Sequence, residues 1–322
     1  MATMNKTLPS QPHRRAMTQL WLGLAPLLVV AFALLAILAA QLPDARAPLS
    51  DATAGTVARV VESERPPDRR GLLVTFEDAD GKRRTAQLIL AEPTEVRPGT
   101  TVPVRYDPSS YGVSSVVYAN GDAATRQLQG LISSMVVVGA ALLLAAASTA
   151  LVVVTRRRLR QLPVVHVLAT RLVVQRGLLV RSCLELETAS GVRWLPVFWA
   201  PELAVLAPSS KIEVHGRPEP GRLLLPVIAG AEVWPSGRVR GRTPRGAQRV
   251  LWPTTVPRSH GMLRQLRVDV LPSLSAPLLG LVWAYVDGSG LAGFLGGSAF
   301  SAVGLFWLFQ RLGSDPEAPA NR

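Results

Sequence analysis

The sequence predicts an α-helical membrane protein with four transmembrane helices and two small all-β modules, barrels or sandwiches, one on each side of the bilayer. Three observations lead there. Four stretches are long, apolar and free of charge. Two intervening segments carry short β-branched runs separated by turn residues. The arginines crowd onto some connections and not others, as topology determinants do.

Composition agrees. Of 322 residues, 48% are apolar, a high share for a soluble chain. Lysine and arginine number 35 against 22 acidic residues, a formal charge of +13. Only Lys6, Lys82 and Lys211 are lysines, an arginine bias that suggests a GC-rich bacterial genome. A charge of this size fits nucleic acid, an anionic membrane surface or a topology signal, and its distribution decides among them. The single cysteine, Cys183, excludes an internal disulfide framework and a cysteine zinc cluster, and reads as a small core residue.

A basic leader, residues 1–19, holds Lys6, Arg14 and Arg15. The first span is 20–42, long enough to cross a hydrocarbon core of about 30 Å. It exceeds the roughly 7 to 15 apolar residues of a cleavable signal, so it reads as an uncleaved anchor. The first β module occupies 43–126 and the second span 127–155, after which Arg156, Arg157, Arg158 and Arg160 follow at once. The second module is 156–237, and a basic juxtamembrane linker, 238–269, leads to the third span at 270–286. That span contains Pro272 and Pro277, which membrane helices tolerate; a re-entrant or interfacial segment is the alternative. A polar turn at Asp287–Gly290 joins it to the fourth span, 291–310, and a tail, 311–322, ends the chain.

Charge fixes the expected orientation. Between the first two spans stand 11 basic and 12 acidic residues, whereas between the second and third stand 19 basic and 7 acidic. The second loop is therefore expected in the cytoplasm with both termini, and the first outside, in a multi-pass protein of the plasma membrane. Topology absorbs nearly all the excess charge, and no nucleic-acid partner is expected.

In the first loop, 56–61, 72–76, 84–90, 101–106 and 113–118 read as strands, with Asp80-Gly81 a tight hairpin turn. The second loop offers 164–174, 179–187, 192–199, 211–215 and 223–227, turning at Ser190-Gly191. The Gly-Thr-Val start at Gly55, the turn Phe76-Glu-Asp-Ala-Asp-Gly81, and Gly99-Thr100 followed by Val102-Pro-Val-Arg-Tyr-Asp-Pro108 carry a resemblance. Through them the chain resembles bacterial multi-pass membrane proteins with an extracytoplasmic domain of unknown function and a V-x-Y-D-P motif. The resemblance spans about 70 residues and implies a position beside membrane helices, without an activity.

A constant offset of 110 residues overlays the two loops with 8 identities in the 32 positions from Glu77 to Pro108. Typical composition gives roughly two by chance. Either the modules are a diverged duplication, or they are unrelated and share turn chemistry.

Sites of chemistry are hard to find. No G-x-S-x-G nucleophile elbow occurs, and His13, His166, His215 and His260 are too dispersed for a zinc spacing. Glu77-Asp-Ala-Asp-Gly81 lacks the spaced ligands and distal glutamate of a calcium loop. Neither catalytic residues nor a cofactor is expected. The run Trp194-Leu-Pro-Val-Phe-Trp199 suits either a lipid or partner surface or the core of its own module.

Two sets remain. Arg242, Arg245, Arg249, Arg264 and Arg267 stand in a stretch, 238–267, without acidic residues and would suit anionic lipids. Ser289, Gly293, Gly297 and Ser301 recur every fourth position of the fourth span and would admit a close helix neighbour, either the third span or the Ala141, Ala145 and Ala146 face of the second. The expected role is a non-enzymatic envelope protein, an assembly factor or transmembrane coupling element, as a homo-oligomer or in a membrane complex. The alternative is an accessory subunit of a transport or secretion complex.

Overall fold

The structure is a computed structural model that describes residues 12–65, 70–90, 94–109, 116–117, 122–253, 262–287 and 289–316. Its helices are α1 (Pro12–Ala40), α2 (Leu42–Ser50), α3 (Asp122–Arg158), α4 (Met262–Val270), α5 (Ala276–Asp287) and α6 (Gly290–Leu312). Four helical stretches are long and apolar enough to cross a membrane: Arg14–Ser50, Ala124–Gln161, Leu266–Val286 and Gly290–Leu312. The third is not the single helix expected over 270–286. A 3-10 turn, Leu271–Ser275, separates α4 from α5. Pro272 lies in that turn and Pro277 just beyond it, where missing N–H groups and ring clashes with the preceding turn stop a regular helix. Ser273 Oγ donates to the Ala302 carbonyl of α6 at 3.0 Å and holds the broken turn there.

The chain divides into two compact units, Phe32–Ala140 and Met1–Ala31 with Ala141–Arg322. The first contains β1 (Ala54–Arg65), β2 (Gly71–Glu77), β3 (Arg83–Ile89), β4 (Thr101–Tyr106) and β5 (Val116–Val117). Their order is β4-β1-β2-β3-β5, antiparallel except for the short β3–β5 pair. Of the fifth expected strand, 113–115 and 118 lie outside the described residues. The period of two decides which side chains go inside: Leu72, Val74 and Phe76 of β2 pack with Ala86, Leu88, Ala58, Val60, Val104 and Tyr106.

The V-x-Y-D-P string supplies part of this core. Tyr106 packs its ring 4.9 Å from that of Phe76, and its hydroxyl accepts the Ala79 N–H at 2.8 Å. The β2–β3 hairpin turns at Gly81, whose φ of +72° disfavours a Cβ. Inside the turn Asp78 Oδ1 accepts the N–H groups of Asp80 and Lys82 at 2.9 and 2.8 Å, and Oδ2 accepts Arg84 Nε at 2.7 Å. The acidic run thus holds its own hairpin.

The second unit contains β6 (Val164–Arg176), β7 (Leu179–Thr188), β8 (Gly191–Val197), β9 (Ser210–His215), β10 (Leu225–Ile228), β11 (Ala231–Glu232) and β12 (Ala247–Val250). The order is β11-β10-β9-β6-β7-β8, with β12 also on β6. Within it, β9-β6-β7-β8 repeats the β4-β1-β2-β3 order of the first sheet, with every neighbour antiparallel. That is the outcome a duplication requires. The fixed offset of 110 slips by a residue, however: Val74 faces Ala86, but Leu184 faces Leu195 rather than Pro196.

Asp78 provides a test of the first sheet. The Lys82 N–H, helped by Arg84 and the Asp80 N–H, holds its carboxyl below the ordinary aspartate range. A depressed value contributes stability that is full above the unfolded-state value and is lost as pH falls through the folded one. Asp78→Ala is expected to lower the melting temperature at neutral pH. The gap from the parent protein should close on acidification below the ordinary carboxylate range; a gap constant with pH would contradict this account.

Candidate functional site

The least ordinary chemistry lies in the second unit, where apolar helices end on the second sheet. An apolar seam comes first: Ala16 and Leu20 of α1 and Leu159 after α3 pack with Phe198, Leu225 and Trp234 of the sheet region. Arg15 lies over the Trp199 ring, 4.1 Å from its centroid. Arg156, at the end of α3, donates from Nε to the Pro235 carbonyl at 2.9 Å. Further along, Leu24 and Leu27 of α1 meet Ala145 of α3, with Phe300, Val303 and Trp307 of α6 against them. Trp307 Nε1 donates to Thr149 Oγ1 at 3.1 Å.

The end of α6 carries the polar part. Gly313 terminates the helix in the left-handed region, φ +75°, and a Cβ there would stand 2.7 Å from Ser236 Cβ. The chain then runs beside β7, where Asp315 N–H donates to the Val180 carbonyl at 2.9 Å. Asp315 is fully buried; its Oδ2 accepts Ser182 Oγ at 2.6 Å and Arg171 Nη2 at 3.1 Å. Arg171 is itself only 2% exposed.

One turn back, a second buried carboxylate joins α4 to α6. Asp269 Oδ2 accepts Gln310 Nε2 and Ser314 Oγ, each at 2.7 Å. The Gln310 carbonyl in turn accepts Gln19 Nε2 of α1 at 3.3 Å. Gly23 lets α1 come this close, since a Cβ there would stand 2.9 Å from Gln310 Cβ. Among the described residues, Asp269 Oδ1 and Gln310 Oε1 are buried without a hydrogen-bond partner. Nearby, burial raises the Glu202 carboxyl, an effect that Arg15 opposes.

These bonds hold the end of α6 to the second sheet and to α4. Asp315 Oδ2 accepts from Arg171 and Ser182, and Asp269 Oδ2 from Gln310 and Ser314. Among the described residues no group of three or more metal-ligating side chains converges. Cys183 is buried in β7, and burial pushes its thiol up to about 12, far from a nucleophile's range. Elsewhere the first sheet has an open groove of about 700 Å³ lined by Thr56, Arg59, Thr75, Glu77, Arg83 and Thr101.

The residues singled out from sequence fall in different places. Gly297 of α6 lies against α5, where a Cβ would stand 3.0 Å from Trp283 Cβ and 3.3 Å from Gly280 Cα. Gly293 stands near Ser289 and Ala284, and Ser301 is half-buried. Gly280 of α5 also lies close against α6, outside the four-residue stripe, since a Cβ there would stand 2.7 Å from the Ser298 nitrogen. Arg242, Arg245 and Arg249 are exposed beside the second sheet, and Arg264 and Arg267 are exposed on α4. The stretch read as a linker thus supplies β12, paired with Leu172–Gln175 of β6. In the aromatic run Leu195, Val197, Phe198 and Trp199 are buried, so it forms core.

Sequence reading missed Asp269, Arg171, Ser182, Gln310 and Asp315. Asp269 sits one residue before the expected third span, and the only signal for it was an acidic residue in a strongly basic loop. No family model, curated protein or solved structure matches the chain.

Two outcomes follow. Asp315→Ala leaves Arg171 charged and buried, a loss of about 3–5 kcal/mol for a broken buried pair; Arg171→Met with Asp315→Leu should recover most of the melting temperature. Additive losses in that double-mutant cycle would dissolve the pair. Gly297→Leu forces bulk against Trp283, costing about 1–3 kcal/mol, whereas Leu295→Ala, at a side chain 58% exposed, should change little. Equal melting of both in detergent would show that Gly297 faces lipid.

Proposed function

We propose that this chain is a non-enzymatic integral membrane protein of the bacterial envelope that couples a β module outside the cell to one inside. The observation that carries the reading is the seating of α3 and of the end of α6 on the second sheet region through a buried polar link and a buried ion pair, with α1 tied to α6 by a further buried hydrogen bond. A helix end that is merely an anchor has no need of a desolvated carboxylate beneath a sheet. One that transmits position does, because a buried pair has few alternative geometries. Loop charges of −1 and +12 support the second module and both termini in the cytoplasm. The four long apolar stretches support the spans. The plasma membrane, and assembly as a homo-oligomer or with another membrane protein, belong to the same reading.

Topology is the first test. Asp80 and Ser190 are exposed at equivalent hairpin tips, and Cys183 is too buried and too weakly acidic to compete for label. An impermeant thiol reagent on intact cells should label Asp80→Cys and spare Ser190→Cys until the cells are opened. Equal labelling would overturn the arrangement. Purification in mild detergent then separates the roles: a lone homo-oligomer supports coupling, and a stable complex with a transport protein supports the accessory-subunit reading.

A further inference from the structure

Strand β12 is anomalous as a strand. It is hydrogen-bonded to β6 over Leu172–Gln175, yet Ala247, Gln248, Arg249 and Val250 are all exposed, so it buries neither face. Beyond it Trp252 is 78% exposed and Val250 is 44% exposed. At the adjoining β6–β7 turn Leu178 is 63% exposed beside exposed Arg176. A strand gains its stability from side-chain packing on at least one face, and an exposed tryptophan between arginines is costly in water.

The charges around it are of one sign. Arg176, Arg242, Arg245 and Arg249 are exposed, and none has an ion-pair partner among the described residues. The acidic residues Glu185 and Glu187 face Thr170 and Leu168 from β7, on the opposite side of β6 from β12.

The register places β12 near the end of α6. Val173 of β6 faces Arg249 on one side and Ser182 on the other, and Ser182 grips Asp315, three residues beyond the end of α6. With neighbouring strands about 4.8 Å apart, Arg249 lies about 10 Å across the sheet from the residue that holds the end of an apolar helix. The end of a membrane-crossing helix adjoins the headgroup layer. Tryptophan and arginine are the side chains that prefer it.

We propose that β12 and the Arg176–Leu178 turn form an interfacial strap that docks on an anionic lipid leaflet, with Trp252 and Val250 among the headgroups and Arg242, Arg245 and Arg249 on lipid phosphates. The strap rests on the membrane reading above and adds to it a lipid class and a residue-level surface. Each arginine contributes about fivefold to the docked-to-undocked ratio at low salt.

The test uses the full chain in lipid nanodiscs of two compositions, zwitterionic alone or with anionic lipid, each carrying brominated acyl chains that quench nearby tryptophan. Subtracting the emission of Trp252→Phe isolates Trp252. The difference emission should be largely lost in anionic discs and retained in zwitterionic ones. Replacing Arg242, Arg245 and Arg249 together by glutamine should restore it. Because all four side chains are exposed, these variants leave the core intact. A Trp252 signal unquenched in anionic discs, while the remaining tryptophans are quenched, overturns the strap and leaves the spans standing. Quenching of no tryptophan overturns both. Equal quenching in both lipids, untouched by the glutamines, overturns the anionic assignment. A Trp252 signal that shifts with protein concentration instead would assign the surface to a second copy.

Discussion

The ion pair between Arg171 and Asp315 constrains everything around it. Both side chains are almost wholly removed from solvent, and a charge left alone there costs several kcal/mol. The last turn of α6 therefore cannot drift from the second sheet. With Asp315 fixed, Gly313 must turn the chain in the left-handed region, at a point where a side chain would strike Ser236. Ser314 is then carried to Asp269, which brings α4 to α6. Gln310, one turn earlier, meets both Asp269 and Gln19 and so draws in α1. One pair thus determines the seating of several helix ends.

Polar groups suit this place for a physical reason. An apolar seam alone resists separation but not sliding, since burial is non-directional. Hydrogen bonds to charged groups are short and directional, and strengthen as water is excluded. The seam of Ala16, Leu20, Phe198 and Trp234 supplies the attraction. Asp315, Asp269 and Arg156 supply the register. The same division operates in the first sheet, where an apolar core supports a hairpin whose shape is set by Asp78 and the Tyr106 hydroxyl.

Much of the fold was legible because its signals are local. Period-two alternation marked most of the major strands within a residue or two, although β1 runs four residues past its expected end, glycine marked both hairpin tips, and charge-free length marked the apolar helices. The break between α4 and α5 was half visible in Pro272 and Pro277, which announce an interruption without saying where helix resumes. β11 and β12 are too short, and in β12's case too polar, to carry a period. The junction was illegible for a different reason. Arg171 and Asp315 are 144 residues apart, and Gln310 and Asp269 are 41 apart. Nothing near any of them in sequence distinguishes a buried partner from a solvated surface charge. The aromatic run at 194–199 was ambiguous for the same reason, as hydrophobicity does not say which surface covers it.

The shared strand order lets the junction be compared with an ordinary core position by position. Overlaid on β2 at the constant offset, β7 places Ser182 where the first sheet has Leu72, and Leu184 where it has Val74. Val74 faces Val60 across the β1–β2 pair, and Leu184 faces Arg171 across the β6–β7 pair. Two positions that are apolar core in one sheet, Leu72 and Val60, are therefore a serine and an arginine in the other, and all four are buried. Neither polar residue is tolerable in a sheet core alone, because each would lose its water without a partner. They become tolerable together when a carboxylate is delivered between them, and the chain delivers one three residues beyond the end of α6. The second sheet differs from the first at the point where it must hold a helix end. That difference makes the tail of the chain part of the sheet's own structure.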